Sequence, residues 1–228
     1  IIKFDFDLTN SKLDLNNSRF RNKNILINFN SSITFNPFFF NSEIEINKIN
    51  NVLLDRFDLD RILKKKDFIK KLNSSNKLRY ESKKILLKNL IKSFTSEFSL
   101  ENGRLIYSYI IFIDENKINC KGESLLTDEF PKIYFKCKIS IKNKANFSKK
   151  FSLSKKLNDK PAKLIIDGNL SLLKNKIYFE NIKLNEDYIA QEEDLKYFKN
   201  SFERILYDKN FIKIFELNKI KQFLKEII

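Results

Sequence analysis

The side chains best placed for covalent chemistry in this 228-residue chain are its two cysteines, Cys120 and Cys137. A hairpin that turns near Asp128 and Glu129 would place the two cysteines opposite each other on neighbouring strands, in phase with apolar residues. Directly opposed residues of two paired strands have the Cα separation of about 5.5 Å that a disulfide needs. The spacing therefore predicts either a disulfide or two small buried thiols in a reducing compartment.

Side chains for acid–base catalysis, metal binding and phosphate binding are scarce. The chain has no His, two Cys and three Gly, which excludes histidine-based catalysis, ordinary zinc, haem or iron–sulfur sites, and Gly-rich phosphate loops. Acidic runs such as residues 192–194 and the pair Asp58 and Asp60 suit the first turn of a helix, where the dipole favours negative charge. We predict no catalytic residue, no metal and no cofactor, and we expect the protein not to be an enzyme.

Positive charge is concentrated in residues 61–93, where twelve basic side chains stand against Asp67 and Glu81. Such a segment can neutralise the phosphates of anionic lipid or of nucleic acid, and a solvated helix face is the third interpretation. Lysine outnumbers arginine here and aromatic residues are few, whereas base readout and base stacking favour the opposite composition. We therefore favour a phospholipid or membrane surface over nucleic acid. The headgroup or anion candidates are Lys64, Lys65, Lys70, Lys71, Lys83, Lys84 and Lys88.

The elements that must position these residues follow from hydrophobic periodicity. Apolar and polar residues alternate up to about residue 50, again from Phe98 through residues 105–113, and over residues 131–143 and 164–184, which predicts strands. Helical spacing predicts an amphipathic helical pair over about 58–94, broken at 73–76, and C-terminal helices over about 191–228. This order lacks a βαβ rhythm and predicts an α+β fold that is mainly antiparallel β. No linker-like composition divides residues 1–228, so we predict a single β-rich region.

The clearest local signal is a hairpin over residues 164–179. Alternation on both sides of Lys174 and Asn175 predicts a two-residue turn that pairs Leu172 with Ile177, with a bulge near Asn181. Residues 131–143 alternate between an apolar face and a face rich in lysine. Such a sheet must cover its apolar face with protein, ligand or lipid.

Three stretches resemble the AsmA/TamB-type, repeating-β-groove proteins of bacterial envelopes. They are the run 59–63 (LDRIL) that opens a helix, the hairpin 162–184 with its central Gly168, and the alternating strand 131–143. The resemblance implies a long curved, groove-like sheet that shelters acyl chains during phospholipid transport or outer-membrane biogenesis. It further implies a periplasmic protein that meets other envelope proteins. The chain begins in strand-like alternation without Met, so we expect a fragment tethered to the inner membrane by an upstream segment.

Under this interpretation one apolar sheet face carries the function. The lipid-facing candidates are Leu105, Tyr107, Ile111, Ile133, Phe135, Ile139, Leu164, Ile166, Leu170, Leu172, Ile177 and Phe179. The same residues would alternatively form a closed core against the helices at 58–94 and 191–228. A basic module that binds nucleic acid or another anion, and a purely structural domain, are the two other functions that the sequence leaves open.

Overall fold

The computed structural model describes residues 1–49, 61, 63–81, 91–151, 160–174, 176–206 and 217–227. Of these residues, 58% lie in strands and 21% in helices. Twelve strands, numbered in chain order, follow one another in the same order across one open sheet. This arrangement confirms the predicted class of a mainly antiparallel β-sheet with added helices.

The strands are β1 (Ile2–Leu8), β2 (Lys12–Arg21), β3 (Ile25–Phe35), β4 (Phe38–Ile49), β5 (Ser74–Glu81), β6 (Ser93–Glu101), β7 (Arg104–Ile113), β8 (Asn116–Leu125), β9 (Lys132–Ile141), β10 (Ala162–Ser171), β11 (Lys176–Leu184) and β12 (Tyr188–Ile189). The described helices are α1 (Lys66–Lys71), α2 (Lys144–Phe151), α3 (Glu192–Ile205) and α4 (Leu217–Ile227). The chain divides into two compact units, which are unit 1 (Ile1–Ile111 and Glu123–Glu129) and unit 2 (Phe112–Gly122 and Phe130–Ile228).

In unit 1, each of the strands β1, β2 and β3 pairs antiparallel with the next, and β5 pairs antiparallel with β6. Strand β2 carries one extra residue at its bulge, where Asn17 has a φ of 48° and its N–H donates to Asn30 Oδ1 at 2.9 Å. Strands β4 and β5 pair in parallel, with Ile44 opposite Leu78 and Ile46 opposite Tyr80. A parallel pair needs a crossover connection, and residues 50–73 with α1 supply it.

The predicted helical pair over 58–94 is only partly correct. Helix α1 lies in the first predicted helix, but residues 74–81 form β5, and Phe94, the predicted end of the second helix, lies in β6. Residues 82–90 lie outside the described part of the chain. Residues 74–81 form a strand in which the polar side chains of Ser74 and Asn76 are buried and hydrogen-bonded. Ser42 Oγ donates to Asn76 Oδ1 at 2.7 Å, and Asn76 Nδ2 donates to Ser74 Oγ at 3.1 Å.

In unit 2, the predicted 164–179 hairpin forms as β10 and β11 but with a shifted register. Leu170, not Leu172, pairs with Ile177. Leu172 is instead buried in the turn, where its N–H donates to Pro131 O at 3.1 Å, while Ser171 Oγ accepts from the Lys174 N–H at 3.3 Å. A four-residue connection therefore replaces the predicted two-residue turn. The predicted bulge is confirmed, because the register shifts where β10 meets Asn181.

The predicted C-terminal helices are confirmed over α3 and α4, and α3 lies against the edge of β11. Glu203 Oε1 accepts a hydrogen bond from the backbone N–H of Ile177 at 2.9 Å. Lys199 Nζ lies 4.6 Å from the ring centroid of Tyr178 on the same strand. Helix α3 thus occupies a strand edge whose backbone groups would otherwise be open to a partner.

A substitution at Gly168 is expected to destabilise unit 2. A Cβ atom at this position would lie 2.2 Å from Tyr178 O and 3.0 Å from Phe135 Cζ, so backbone and ring would both have to move. We expect Gly168→Ala to lower the free energy of unfolding by about 2 kcal/mol or more, as overpacking commonly does. Urea denaturation measures this loss. Lys163→Ala, at an exposed site of the same strand, is the control, and equal losses in the two variants would contradict the prediction.

Candidate functional site

The strand registers of unit 1 align apolar side chains in rows that cross one face of the sheet. Residues that lie directly opposite each other in paired strands share a face. The register of each strand pair therefore shows which side chains form one row across the sheet. The rows are Ile2, Phe20, Ile27, Ile46, Tyr80 and Phe94; Phe29, Ile44 and Leu78; and Leu8, Leu13, Ile33 and Phe40. A fourth row of the same face has small polar residues at its centre and consists of Phe6, Leu15, Ser31, Ser42, Asn76 and Phe98. The face is therefore mainly apolar, with a polar centre in one row.

The part of this apolar face that β1 to β4 form is not buried in the described structure, whereas Tyr80 of β5, in the first row, is 2% exposed. Among the described side chains of β1 to β4, none of the large apolar ones is buried, and those of β1 are 52–64% exposed. The buried side chains of these four strands are the small ones of Ser18, Ser31 and Ser42. A hydrophobic core normally buries its large apolar residues. The face of β1 to β4 therefore differs from a core and presents a half-exposed apolar surface.

The opposite face of the same strands is polar. One of its rows is Asn30, Glu43, Lys77 and Glu97, and another is Asn28, Glu45, Arg79 and Thr95. Lys77 Nζ and Glu97 Oε1 are 2.8 Å apart. This ion pair is the largest cause that lowers the pKa of Glu97, and the charge of Arg79 lowers it by a smaller amount. The two faces of the sheet in unit 1 thus differ sharply in polarity.

Strand β7 carries three of the predicted lipid-facing residues, and Tyr109 lies on the same strand. Leu105, Tyr107 and Ile111 are half-buried. Tyr107 and Tyr109 stack with ring centroids 6.3 Å apart, and Phe94 lies 6.3 Å from Tyr109. Burial raises the pKa of both tyrosines, and the neighbouring Tyr109 raises the pKa of Tyr107 further. Burial thus favours the neutral form of both hydroxyls, which suits an environment poor in water.

The predicted lipid-facing residues of unit 2 are divided by the C-terminal helices. Leu170 and Ile177 are buried and pack with Ile133, Phe135, Phe179 and the α3 residue Phe202. Phe179 and Phe202 meet edge to face at 6.0 Å, and Phe202 meets Phe223 of α4 at 5.8 Å. Leu172 is also buried, at 3% exposure. These positions match the alternative of a closed core, whereas Ile139, Leu164 and Ile166 are half-buried on the same face.

The predicted headgroup lysines are described in part. Lys64, Lys65, Lys70 and Lys71 are exposed, and none of them forms an ion pair with another described residue. Lys83, Lys84 and Lys88 lie outside the described residues. The basic segment is also less continuous than predicted, because Lys77 and Arg79 project from the polar face of β5.

The two cysteines form a disulfide that joins β8 to β9 within unit 2. Their sulfur atoms are 2.03 Å apart and their Cα atoms 4.1 Å apart. Cys120 is 2% exposed, and Cys137 pairs with Ile166 of β10 on the apolar face. The bond therefore ties together strands that carry the apolar face of this unit.

The acidic run that opens α3 has a structural role. Asp194 Oδ2 accepts a hydrogen bond from the backbone N–H of Gln191 at 3.0 Å, and this bond is the main cause that lowers the pKa of Asp194.

In the described part of the chain, no group of three or more His, Cys, Asp or Glu side chains could hold a metal ion. None of the helices that the structure describes is both long and apolar enough to span a membrane.

The alternation of β1 to β4 is visible in the sequence, but none of the predicted lipid-facing residues lies on these strands. The signal was present in residues such as Phe29 and Ile44, which the structure places opposite each other in the centre of the open face. The sequence did not show which strands the C-terminal helix α3 covers. No family model, no curated protein and no solved structure matches this chain.

Proposed function

We propose that this chain is a non-enzymatic, lipid-binding part of an AsmA-like periplasmic protein that serves phospholipid transport or outer-membrane biogenesis. The observation that carries the proposal is the apolar face of β1 to β4, where none of the described large side chains is buried. An apolar surface of this kind is costly in water and is favoured by an apolar ligand. The resemblance of the hairpin and helix-opening motifs to envelope lipid carriers supports the same function.

The proposed mechanism is passive burial of acyl chains. Each methylene group that leaves water for the apolar face contributes about 0.8 kcal/mol, so a chain that lies across several rows binds without any covalent step. The polar face of the same strands stays in water. The exposed lysines Lys64, Lys65, Lys70 and Lys71 attract the phosphate of the headgroup, each by about 1 kcal/mol near an anionic surface.

Location in the periplasm, with a tether to the inner membrane, is part of the proposal. The disulfide between Cys120 and Cys137 supports an oxidising compartment, because disulfides persist outside the reducing cytosol. Other envelope proteins would deliver or receive the lipid.

Lipid extraction tests the proposal. The chain is produced in a bacterial periplasm, purified without detergent, and its organic extract is measured by mass spectrometry. We expect close to stoichiometric phospholipid on the parent chain. Ile44→Asp places a charge in the centre of the open face and is expected to reduce bound lipid about tenfold, since it removes contact with roughly two methylene groups.

Asn41→Asp is the matched control for this measurement. Asn41 is exposed on the polar face of the same strand, opposite Ser32 and Ser75, so it adds the same charge without touching the apolar rows. It is expected to retain the lipid of the parent. A folded parent chain that carries no lipid, or an Ile44→Asp variant that carries as much as the parent, would contradict the proposal and favour a structural domain.

A second candidate function rests on the same exposed lysines, which could bind nucleic acid or another anion. Binding dominated by phosphate contacts weakens steeply with salt. Titration of a single-stranded oligonucleotide at two salt concentrations separates this function from lipid binding. Affinity that falls with salt and disappears in a Lys64→Gln, Lys65→Gln, Lys70→Gln, Lys71→Gln variant would favour it.

A further inference from the structure

Two neighbouring rows on the polar face of unit 2 combine aromatic, amide and charged side chains. The registers of β10 with β9 and with β11 define these rows, which are Tyr134, Asn169 and Tyr178, and Lys136, Asp167 and Asn181. Their positions alternate along the strands with the buried cluster around Leu170, so they lie on the other side of the sheet from α3 residue Phe202. We call these two rows the Asn169 site.

Two oxygen atoms at the centre of the Asn169 site are buried and lack a hydrogen-bond partner in the described part of the chain. They are Oδ1 of Asn169, a residue that is 9% exposed, and Oδ1 of Asp167, about 7 Å away along β10. The other polar atoms of both side chains are bonded: Asn169 Nδ2 donates to Glu180 Oε1 at 3.2 Å, and Asp167 Oδ2 accepts from Asn181 Nδ2 at 3.3 Å. A buried acceptor without a donor is costly. Both oxygens therefore call for a donor that the described residues do not supply.

Two tyrosine rings flank these acceptors. Tyr134 is 47% exposed and Tyr178 is 44% exposed, and each lies directly opposite Asn169 on a neighbouring strand. Aromatic rings beside a few fixed polar groups are the usual lining of a ligand site. Because exposed side chains change rotamer within nanoseconds, a ligand can reach the two oxygens when the rings turn aside.

Positive charge surrounds the Asn169 site. The rows on either side of it end in lysine on both flanking strands, with Lys132 and Lys176 in one row and Lys138 and Lys183 in the other. None of these four lysines forms an ion pair with another described residue. A surface of this charge attracts anions and repels cations, so a metal ion is disfavoured as the missing partner of the two oxygens.

We propose that the Asn169 site binds an anionic oligosaccharide, that is, a chain of sugar rings that carries carboxylate or phosphate groups. The sugar rings stack on the two tyrosines, their hydroxyls donate to Oδ1 of Asn169 and of Asp167, and the surrounding lysines attract the anionic groups. The disulfide in the same unit favours an oxidising compartment, where such sugars are exposed to proteins. The site lies on the polar face and does not depend on lipid binding.

A single-stranded nucleic acid also combines rings with anionic groups, but it fits this surface less well. Strands β9, β10 and β11 contain no arginine, the side chain that most often reads base edges. Asp167 and Glu180 place negative charge at the centre of the site, where they would repel a backbone with a phosphate on every nucleotide. Sugar hydroxyls, in contrast, donate to both unpartnered oxygens and need no charge beside them.

Isothermal titration calorimetry of the full chain tests the proposal with hexagalacturonate as the anionic probe. We expect hexagalacturonate to bind at least about tenfold more tightly than neutral cellohexaose, because the lysines act only on the charged chain. Tyr178→Ala is expected to weaken binding about fivefold, and Tyr178→Phe, which keeps the ring, is expected to bind like the parent. Tyr197→Ala is the matched control, since it removes an equally exposed ring from α3, where the Tyr197 hydroxyl donates to Glu226 O of α4.

A variant at Asn169 separates binding from stability. Asn169→Leu replaces the amide by an apolar group of similar shape, so we expect resistance to urea equal to or above that of the parent and binding about fivefold weaker. The proposal is overturned if hexagalacturonate does not bind at millimolar concentration, in which case ordered water satisfies the two oxygens. It is also overturned if cellohexaose binds as tightly, if hexauridylate binds more tightly, or if Tyr178→Ala and Asn169→Leu both bind like the parent.

Discussion

Leu170→Asp is expected to unfold unit 2, with a loss of at least about 4 kcal/mol, because it buries a carboxylate that has no partner. Leu170 is 5% exposed and packs with Ile177 and Phe202 at the contact between the sheet and α3. Leu170→Ala should cost about 2–5 kcal/mol through the cavity that it leaves. Urea denaturation, followed by near-ultraviolet circular dichroism of the aromatic cluster around Phe202, measures both losses.

Ile165→Asp is the matched control for this prediction. Ile165 lies on the same strand but on the other face, directly between Lys138 and Lys183 of the neighbouring strands. A carboxylate there would face two ammonium groups, so we expect the stability to stay within about 1 kcal/mol of the parent value. A Leu170→Asp variant as stable as Ile165→Asp would show that the apolar face of unit 2 is open, contrary to the packing described above.

Removal of the disulfide is the second change with a large expected effect. Cys120 and Cys137 are 17 residues apart, and a closed loop of about this length stabilises a folded protein by about 3 kcal/mol through the unfolded state. We expect the Cys120→Ala, Cys137→Ala variant to lose about this amount relative to the oxidised parent. The measurement is urea denaturation with and without a reductant.

The reductant supplies the internal control for the disulfide. It should lower the stability of the parent to about that of the double alanine variant, and it should leave the variant itself unchanged. A parent chain whose unfolding midpoint does not respond to reductant, although its thiols become titratable, would contradict the expected contribution of the bond.

Alternation along the chain predicted most of the strands, because a strand that is covered or half-covered on one face shows its period directly in the sequence. The strand β9 illustrates this: its predicted apolar set, including Phe135 and Ile139, is the less exposed face. Strand β5 was not predicted, because residues 73–76 were interpreted as a break between two amphipathic helices. Its eight residues become a strand through parallel pairing with β4, a distant contact that no local pattern contains.

The candidate site was harder to predict than the fold. Helical spacing over residues 192–205 indicated that α3 has an apolar face, but it could not indicate which strands that face covers. The structure places Phe202 against Phe179, which turns half of the predicted lipid-facing set into protein core. The sequence pattern of β1 to β4 is of the same kind, yet its large apolar side chains are not buried. The difference between groove and core therefore depends on tertiary packing and not on strand periodicity.

The order of the strands has a consequence for how this molecule tolerates change in length. Because every strand neighbours the strands next to it in sequence, a hairpin can be added to or deleted from the sheet with a change of partner only for the strands that flank it. The free-energy cost of such an insertion or deletion is confined to the strand pairings at its two sides, as in solenoid proteins. The crossover between β4 and β5 is different, since its parallel pair requires a connecting segment of its own. Insertions and deletions in related chains should therefore come in hairpin-sized steps on either side of residues 50–73 and avoid that segment.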